Sequence, residues 1–291
     1  MKNIFLILVV IFLIIGGCTP APEKEPAEER KVYISYTDWA ESVALTKLSA
    51  ILLEKHLGYE VTLKLTGIDT VFHELATGRA DVFVDVWVPQ THQEYLERYR
   101  DDMEDLGPNY QTARTGLVVP DYMAVESIPG LRGYYTGPIA GIDTAAGIMR
   151  NTIEAIHVYD LENELLVLSD PEMASRLQNA IRRREPIVVT GWEPHWLFHR
   201  HDLRFLEDPL GVYLEVEQIH TFSRKGFSDN HPAATTFFRR MVLSEMQINE
   251  LLYEVHRHTE PREGVMSWIR KNEFTVNRWV RGLAPEREKI M

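Results

Sequence analysis

Three tryptophans follow or end predicted strands, at the sheet edge where ligand sites form in α/β proteins. Trp39 follows the first strand, Trp87 lies near the end of the third (DVWVP), and Trp192 follows IVVT in VVTGWEPHW. A single tryptophan is most often a packing residue. Three at strand ends favour an aromatic cage for a trimethylammonium group, which has no N–H to donate and is held by ring quadrupoles at roughly 0.5–2 kcal/mol each. The tryptophans in helical patterns are predicted to pack: Trp196, Trp268 and Trp279.

The Gly/Ala-rich loop GIDTAAG (141–147) lies between a predicted strand and a predicted helix. Backbone N–H groups at a helix N-terminus attract anions, and small residues let a ligand approach closely. Gly141, Ile142 and Asp143 are therefore candidates to bind the carboxylate of a ligand. An ordinary turn with Asp143 or Thr144 as N-cap explains the same residues, and both interpretations can hold together.

Histidines follow two of the strand-end tryptophans, in WVPQTH and WEPHW. His92 and His195 could each donate a hydrogen bond to a ligand carboxylate, or could cap a helix and support the site from behind. The pattern H-x3-H-x-H of His195, His199 and His201 could bind zinc together with Asp202. No HExxH motif or cysteine partner supports that reading, so no metal is expected.

Two acids, Asp81 and Asp85, flank or interrupt the apolar strand ADVFVDVWV. They are four residues apart and so fall on one side of a strand, as a general acid and base would have to. Solvation at a strand edge or helix capping is the favoured interpretation. With no GxSxG elbow and no suitable cysteine nucleophile, the sequence predicts no enzyme.

The overall composition describes an acidic globular protein of 291 residues with a formal net charge of −12. That charge argues against nucleic acid, since binding phosphates requires a basic face. Neither a dinucleotide fingerprint nor a GxxxxGK[ST] loop is present, and no cofactor is expected. The chain is long enough for two medium-sized domains.

The N-terminus has the features of a secretory signal that ends in an anchor. Lys2 is followed by an apolar run over 4–15 and then by Gly-Gly-Cys18, which resembles a bacterial lipobox. Cys18, the only cysteine, is predicted to carry the lipid that tethers the protein to the membrane. The Pro/Glu/Ala-rich stretch 19–30 then reads as a flexible tether. The predicted location is extracytoplasmic, either periplasmic or on the outer face of the cell membrane.

Strands and helices alternate along the rest of the chain, which predicts a mainly parallel sheet with crossover helices. Strands are predicted at Lys31–Tyr36, 59–65, 80–88, 117–119, 138–142, 165–168, 187–190 and, as an extended stretch, 212–222. Helices are predicted at 38–57, 69–77, 91–99, 144–157, 171–184 and over nearly all of 232–283.

Two αβ units, one nested inside the other, indicate an α/β protein of the bilobal periplasmic-binding-protein type with two crossing segments. Lobe I is predicted at 31–121 and 230–284, and lobe II at 122–229. A cleft between two lobes is a common ligand site.

A family resemblance is carried by several long segments in order: VYISYTDWAES, ADVFVDVWVPQTHQEYLERY, DLGPNYQTARTGLVVPDYM, IAGIDTAAGIM, EPIVVTGWEPHWLF, LRFLEDPLGVY and IHTFSRKGF. Together they resemble the glycine betaine/proline betaine substrate-binding proteins of ABC importers. The resemblance covers nearly all of the chain after the tether.

The resemblance implies a bilobal fold, an osmoprotective solute such as glycine betaine, a membrane permease as partner, and a tryptophan cage at Trp39, Trp87 and Trp192. Some members draw one cage tryptophan from a C-terminal stretch resembling FHWT. Here the matching stretch is MVLS (241–244), which makes Trp39 the expected third wall. Choline, carnitine, ectoine or a sulfonium compound remain alternatives on the same fold, and an anchored metal-dependent hydrolase is a remote one.

Overall fold

The computed structural model of the chain describes residues 30–214 and 216–285. The predicted lipid-anchor residue, Cys18, lies outside the described residues. In the described part of the chain, no helix is both long enough and apolar enough to cross a membrane.

The described residues form strands that alternate with helices in the first two thirds of the chain, followed by a run of helices. The strands are β1 (Lys31–Tyr36), β2 (Glu60–Leu65), β3 (Val82–Val88), β4 (Met103–Pro120), β5 (Ile139–Ala140), β6 (Leu165–Leu166), β7 (Val188–Glu193), β8 (Leu203–Phe205) and β9 (Glu217–Arg224). The helices are α1 (Ala40–Leu52), α2 (Ile68–Ala76), α3 (Gln93–Tyr99), α4 (Gly147–Val158), α5 (Asp170–Arg183), α6 (Trp196–Arg200), α7 (Phe227–Asn230), α8 (Pro232–Arg240), α9 (Glu245–Arg257), α10 (Pro261–Lys271) and α11 (Glu273–Val280).

Strand pairing divides the sheet into two parts that share β4, in the order β2-β1-β3-β9-β4-β7-β5-β6, with β8 beside β4. We call lobe I the part built on β1, β2, β3 and β9, and lobe II the part built on β5, β6 and β7. In lobe I, β1 runs parallel to β2 and β3. In lobe II, β5 runs parallel to β6 and β7.

Helix α1 shows how the apolar pattern sets the packing of lobe I. Four apolar residues that recur at helical spacing are almost completely buried: Ala44, Leu48, Ile51 and Leu52. The helix continues into a wider turn (Leu53–Leu57) and ends at Gly58, whose φ of 72° is left-handed and suits glycine. This packing fixes the residues at the start of α1, which face lobe II.

Strand β4 crosses between the lobes. Its residues 103–113 pair with β9, and its residues 114–118 pair with β7. The sequence predicted only a short strand at 117–119, because Gly107 and Pro108 indicate a break. Register shifts beside both residues absorb them without ending the strand.

Strands β1 to β3 and β5 to β7 pair in parallel, but the two crossing strands do not: β9 runs antiparallel to β3, and β4 runs antiparallel to β7, β8 and β9. The expectation of a mainly parallel sheet is therefore wrong for the crossing strands, since neither belongs to a βαβ unit. Strand β9 pairs with β3 of lobe I although it precedes residue 230. The lobe boundaries at 121/122 and 229/230 stay predictions.

Candidate ligand-binding site

The three strand-end tryptophans meet at one cavity between the lobes. Its lining consists of Trp39, Glu41, Trp87, Thr91, His92, Thr115, Ile142, Ala146, Gly147, Ile148 and Trp192. The three indoles are only 3–5% exposed, so the walls are withdrawn from bulk water. Ring quadrupoles act most strongly on a cation where it is shielded from water.

Each tryptophan is placed by a different element. Trp39 is the residue before α1, Trp87 lies in β3, and Trp192 lies in β7. Trp87 and Trp192 each stand two residues before a proline in a cis peptide bond, Pro89 and Pro194. Because α1 and β3 belong to lobe I and β7 belongs to lobe II, Trp39 and Trp87 come from lobe I and Trp192 comes from lobe II.

Two of the indoles are tied to the opposite lobe by reciprocal hydrogen bonds. The Trp192 indole N–H donates to Glu41 Oε2 over 2.7 Å, and the Trp39 indole N–H donates to Asp143 Oδ2 over 3.1 Å. Each lobe thus supplies one donor and one carboxyl acceptor. Asp143, predicted to contact the ligand, accepts a hydrogen bond from the Trp39 ring and is not part of the cavity lining.

The third indole is held within its own strand. The Trp87 N–H donates to Asp85 Oδ1 over 2.9 Å. Asp85 is fully buried, so the expectation that it caps a helix or is solvated at a strand edge is wrong. Burial raises the pKa of Asp85 to about 8. Burial, followed by the charge of Asp85, also raises the pKa of Glu41 well above its usual value.

His92 presents one ring nitrogen to the cavity. Its Nδ1 accepts the backbone N–H of Trp87 over 3.0 Å, so the proton of the neutral ring is on Nε2. That Nε2 is buried without a protein partner among the described residues. Burial, and then the charge of Arg150, lowers the pKa of His92 to about 3. His92 is therefore a neutral donor, stacked against Trp39 with ring centroids 5.9 Å apart.

The predicted anion loop leads into the start of α4. Gly141 donates its N–H to the Leu166 carbonyl over 3.0 Å, so this amide is already used. The N–H of Ile142 meets only the Met149 sulfur, 3.2 Å away, which is a weak acceptor. Ile142 and the first turn of α4 line the cavity. N–H groups in a first turn have no partner within the helix and favour an anion.

His195 packs against Trp192 and is not part of the cavity lining. Its Nδ1 accepts the Leu197 N–H over 3.1 Å, and its Nε2 consequently donates to Asp170, 3.2 Å away. The ring meets Trp192 edge-on at 4.8 Å between centroids. Both nitrogens are engaged, so His195 positions Trp192 and does not reach the cavity.

The remaining histidines of the H-x3-H-x-H pattern diverge from His195. The His199 ring packs on Tyr253 with centroids 4.7 Å apart. In residues 30–214 and 216–285, no three His, Cys, Asp or Glu side chains group as a metal site requires.

The lobes are in contact around the cavity, as in a closed conformation. Arg150 of lobe II forms a salt bridge of 3.0 Å with Glu94 of lobe I. Gly147 of lobe II lies so close to Thr91 of lobe I that an added Cβ would be 1.7 Å from the Thr91 carbonyl oxygen. Only glycine permits this approach.

Comparison with known proteins identifies the family. A family profile described as the substrate-binding domain of ABC-type glycine betaine transport systems matches residues 30–271. The chain belongs to this family. A curated relative, the glycine betaine/carnitine transport binding protein GbuC of Listeria monocytogenes, is 37% identical over 177 residues. That alignment covers 60% of this chain and only 58% of the relative.

Solved structures in this glycine betaine-binding family have the same architecture. Lactococcal OpuAC, in its closed conformation with glycine betaine, matches with a TM-score of 0.81 and 30% identity over 87% of this chain and all of that one. The glycine betaine/L-proline-binding protein ProX of Borrelia burgdorferi matches with the same TM-score and identity, over 88% of this chain and 97% of that one. The predicted α/β bilobal fold is confirmed.

The structure adds four polar residues that the sequence analysis did not place at the site. Glu41 and Thr115 line the cavity, Asp85 holds Trp87, and Asp170 holds His195. Asp85 could have been found, because a charged residue inside an apolar strand needs a partner. Thr115 gives no signal in the sequence.

Proposed function

We propose that this chain is the extracytoplasmic solute-binding component of an ABC importer and that it captures glycine betaine, or a related quaternary-ammonium solute, in a tryptophan cage. The observation that carries the proposal is the convergence of Trp39, Trp87 and Trp192 on one cavity between the lobes. A trimethylammonium group cannot donate a hydrogen bond, and three indole faces offer the attraction that remains to it.

The carboxylate end of a betaine would meet N–H donors that belong to the same cavity lining. His92 offers a buried Nε2–H without a protein partner, and the Ile142 N–H has only a thioether beside it. The N-terminus of α4 adds its dipole. An apolar cage facing a set of N–H donors suits a zwitterion whose charges lie at opposite ends.

A ligand with net positive charge is the second candidate, favoured by one observation. The Glu41 carboxyl lines the cavity next to Trp192. If a cation stabilises its ionised form, choline would gain a charge partner that a zwitterion needs less. Carnitine, ectoine and sulfonium compounds are the remaining alternatives on the same fold.

In the cell, the ligand-bound closed form would dock on a membrane permease and release the solute, with no bond made or broken. Ligand binding would shift the open–closed equilibrium towards the closed state, because the ligand contacts both lobes only in that state. A lipid on Cys18 would hold the protein at the membrane. Uptake of such solutes would serve osmoprotection.

The test is calorimetric titration of the purified protein with glycine betaine, proline betaine, carnitine and choline. Binding of glycine betaine or proline betaine more tightly than choline supports the proposal. Tighter binding of choline favours the cationic ligand, and no heat of binding with any of the four rejects this ligand class.

A further inference from the structure

Two side chains of the cavity lining carry a polar atom that is buried and has no hydrogen-bond partner in the described residues: His92 at Nε2 and Thr115 at Oγ1. Buried polar atoms are nearly always hydrogen-bonded, and each exception calls for an explanation. His92 was expected to contact a ligand. Thr115 was not, and nothing in its sequence context marks it.

Thr115 is placed by the crossing strand β4. In the antiparallel register of β4 and β7, Thr115 is directly opposite Trp192. Residues opposite each other in such a pair have their side chains on the same face, with Cβ atoms about 4.5–5.5 Å apart. The hydroxyl is therefore beside a cage wall, and the residue is only 6% exposed.

Thr115 lines the cavity, whereas the other described threonines with a buried, unpartnered hydroxyl do not. Thr190, two residues before Trp192 on β7, is also completely buried with an unpartnered hydroxyl, but it does not line the cavity. The Thr190 hydroxyl is therefore not expected to contact a ligand in this cavity. Valine has the same shape as threonine and would fill either position without an unpaired polar group.

We propose that Thr115 is a ligand-binding residue whose hydroxyl hydrogen-bonds an oxygen atom of the bound solute, and that it selects quaternary-ammonium ligands with such an oxygen over those without one. The inference rests on the proposed function and deepens it. Thr115 acts with the His92 Nε2–H from another part of the lining, so the oxygen-bearing end of the ligand is fixed from two elements, while the cage fixes the alkylammonium end.

The hydroxyl can donate to a carboxylate and can also accept from a ligand hydroxyl. The selected class is thus betaines first and hydroxylated quaternary amines second. A simple alkyltrimethylammonium ion would fill the cage but leave the Thr115 hydroxyl unpaired. Sites of this kind discriminate strongly, because the ligand that lacks the polar atom strands a buried group.

The experiment is calorimetric titration of wild type, Thr115→Val, Thr115→Ser and the matched control Thr190→Val with glycine betaine, with ethyltrimethylammonium measured by competition. We expect Thr115→Val to weaken glycine betaine binding about tenfold, and to reduce the preference over ethyltrimethylammonium by the same factor. Thr115→Ser should recover most of the affinity, and Thr190→Val should leave it unchanged.

A thermal melt without ligand separates this role from a structural one. Thr115→Val removes an unpaired hydroxyl, so its Tm should be no lower than that of wild type while its affinity falls. Equal glycine betaine affinity for wild type and Thr115→Val, or an equal loss in Thr190→Val, overturns the inference alone. Failure of wild type to bind any quaternary-ammonium probe overturns the proposed function, and this inference with it.

Discussion

The indole N–H of Trp192 donates to Glu41 Oε2 over 2.7 Å, and this hydrogen bond joins lobe II to lobe I beside the cavity. A second bond, from Trp39 to Asp143 over 3.1 Å, runs in the opposite direction between the lobes. Closing the lobes therefore does more than cover a ligand. It fixes the orientation of two of the three aromatic walls.

Removing the acceptor should weaken binding through the orientation of Trp192. Glu41→Ala is expected to lower glycine betaine affinity about tenfold, the usual effect of losing one buried hydrogen bond. Glu41→Gln keeps an oxygen acceptor and resembles the neutral acid that the raised pKa of Glu41 favours, so it should stay within a few-fold of wild type. Titration calorimetry of both variants distinguishes the two roles of Glu41. Equal losses of affinity in both would show that the charge of Glu41, and not the orientation of Trp192, controls binding.

Closure itself should fail when Gly147 gains a side chain. A Cβ there would be 1.7 Å from the Thr91 carbonyl oxygen, which is backbone and cannot turn away. A Gly147→Ala variant whose closed population is about 100-fold smaller than that of wild type binds glycine betaine with about 100-fold lower apparent affinity.

Small-angle scattering with and without glycine betaine should then show compaction in wild type and none in Gly147→Ala. Gly67→Ala is the matched control, because Gly67 has an ordinary φ of −72° and nothing within 4 Å of an added Cβ. Normal compaction of Gly147→Ala would mean that the lobes meet differently.

Much of this architecture could be predicted from the sequence. The alternation of apolar residues identified β1 and β2, a continuous apolar run identified β3, and the 3.6-residue period identified α1 with its buried face. The convergence of Trp39, Trp87 and Trp192 followed from a general rule, that parallel strands place their carboxyl ends at one edge.

The rest depended on contacts between distant segments. Strand β4 was mostly missed, because Gly107 and Pro108 read as a break and only pairing with β9 shows that the strand continues. Asp143 and His195 were predicted to contact the ligand. Instead, Asp143 accepts a hydrogen bond from Trp39 and His195 donates one to Asp170, and no local sequence pattern connects either pair. Thr115 has a role only through its cross-strand neighbour.

The buried acid Asp85 should make stability fall as pH rises. Its pKa is raised from 3.8 to about 8, so the native state keeps a proton that the unfolded state has lost. The unfolding free energy therefore decreases with pH across that window. The lowered pKa of His92 acts in the opposite direction, but only below its ordinary value of 6.5.

Urea denaturation at pH 7 and pH 8 isolates this contribution. From pH 7 to 8, wild type should lose roughly 1 kcal/mol more unfolding free energy than Asp85→Asn, which keeps an acceptor for Trp87 but cannot titrate. Parallel pH dependence of the two proteins would show that Asp85 is already ionised in the native state.

The central claim is that an aromatic face of Trp192 holds the ligand's cation, and the most direct measurement is the glycine betaine dissociation constant of Trp192→Leu. Leucine keeps much of the apolar bulk but has no ring quadrupole. Trp279→Leu is the control, since Trp279 is equally buried, at 4% exposure, but packs on Trp268 in the helical region. We expect the dissociation constant of Trp192→Leu to be at least about tenfold larger than that of wild type, and that of Trp279→Leu to be unchanged. An increase of less than a few-fold in the dissociation constant of Trp192→Leu would contradict the claim that this ring holds the cation.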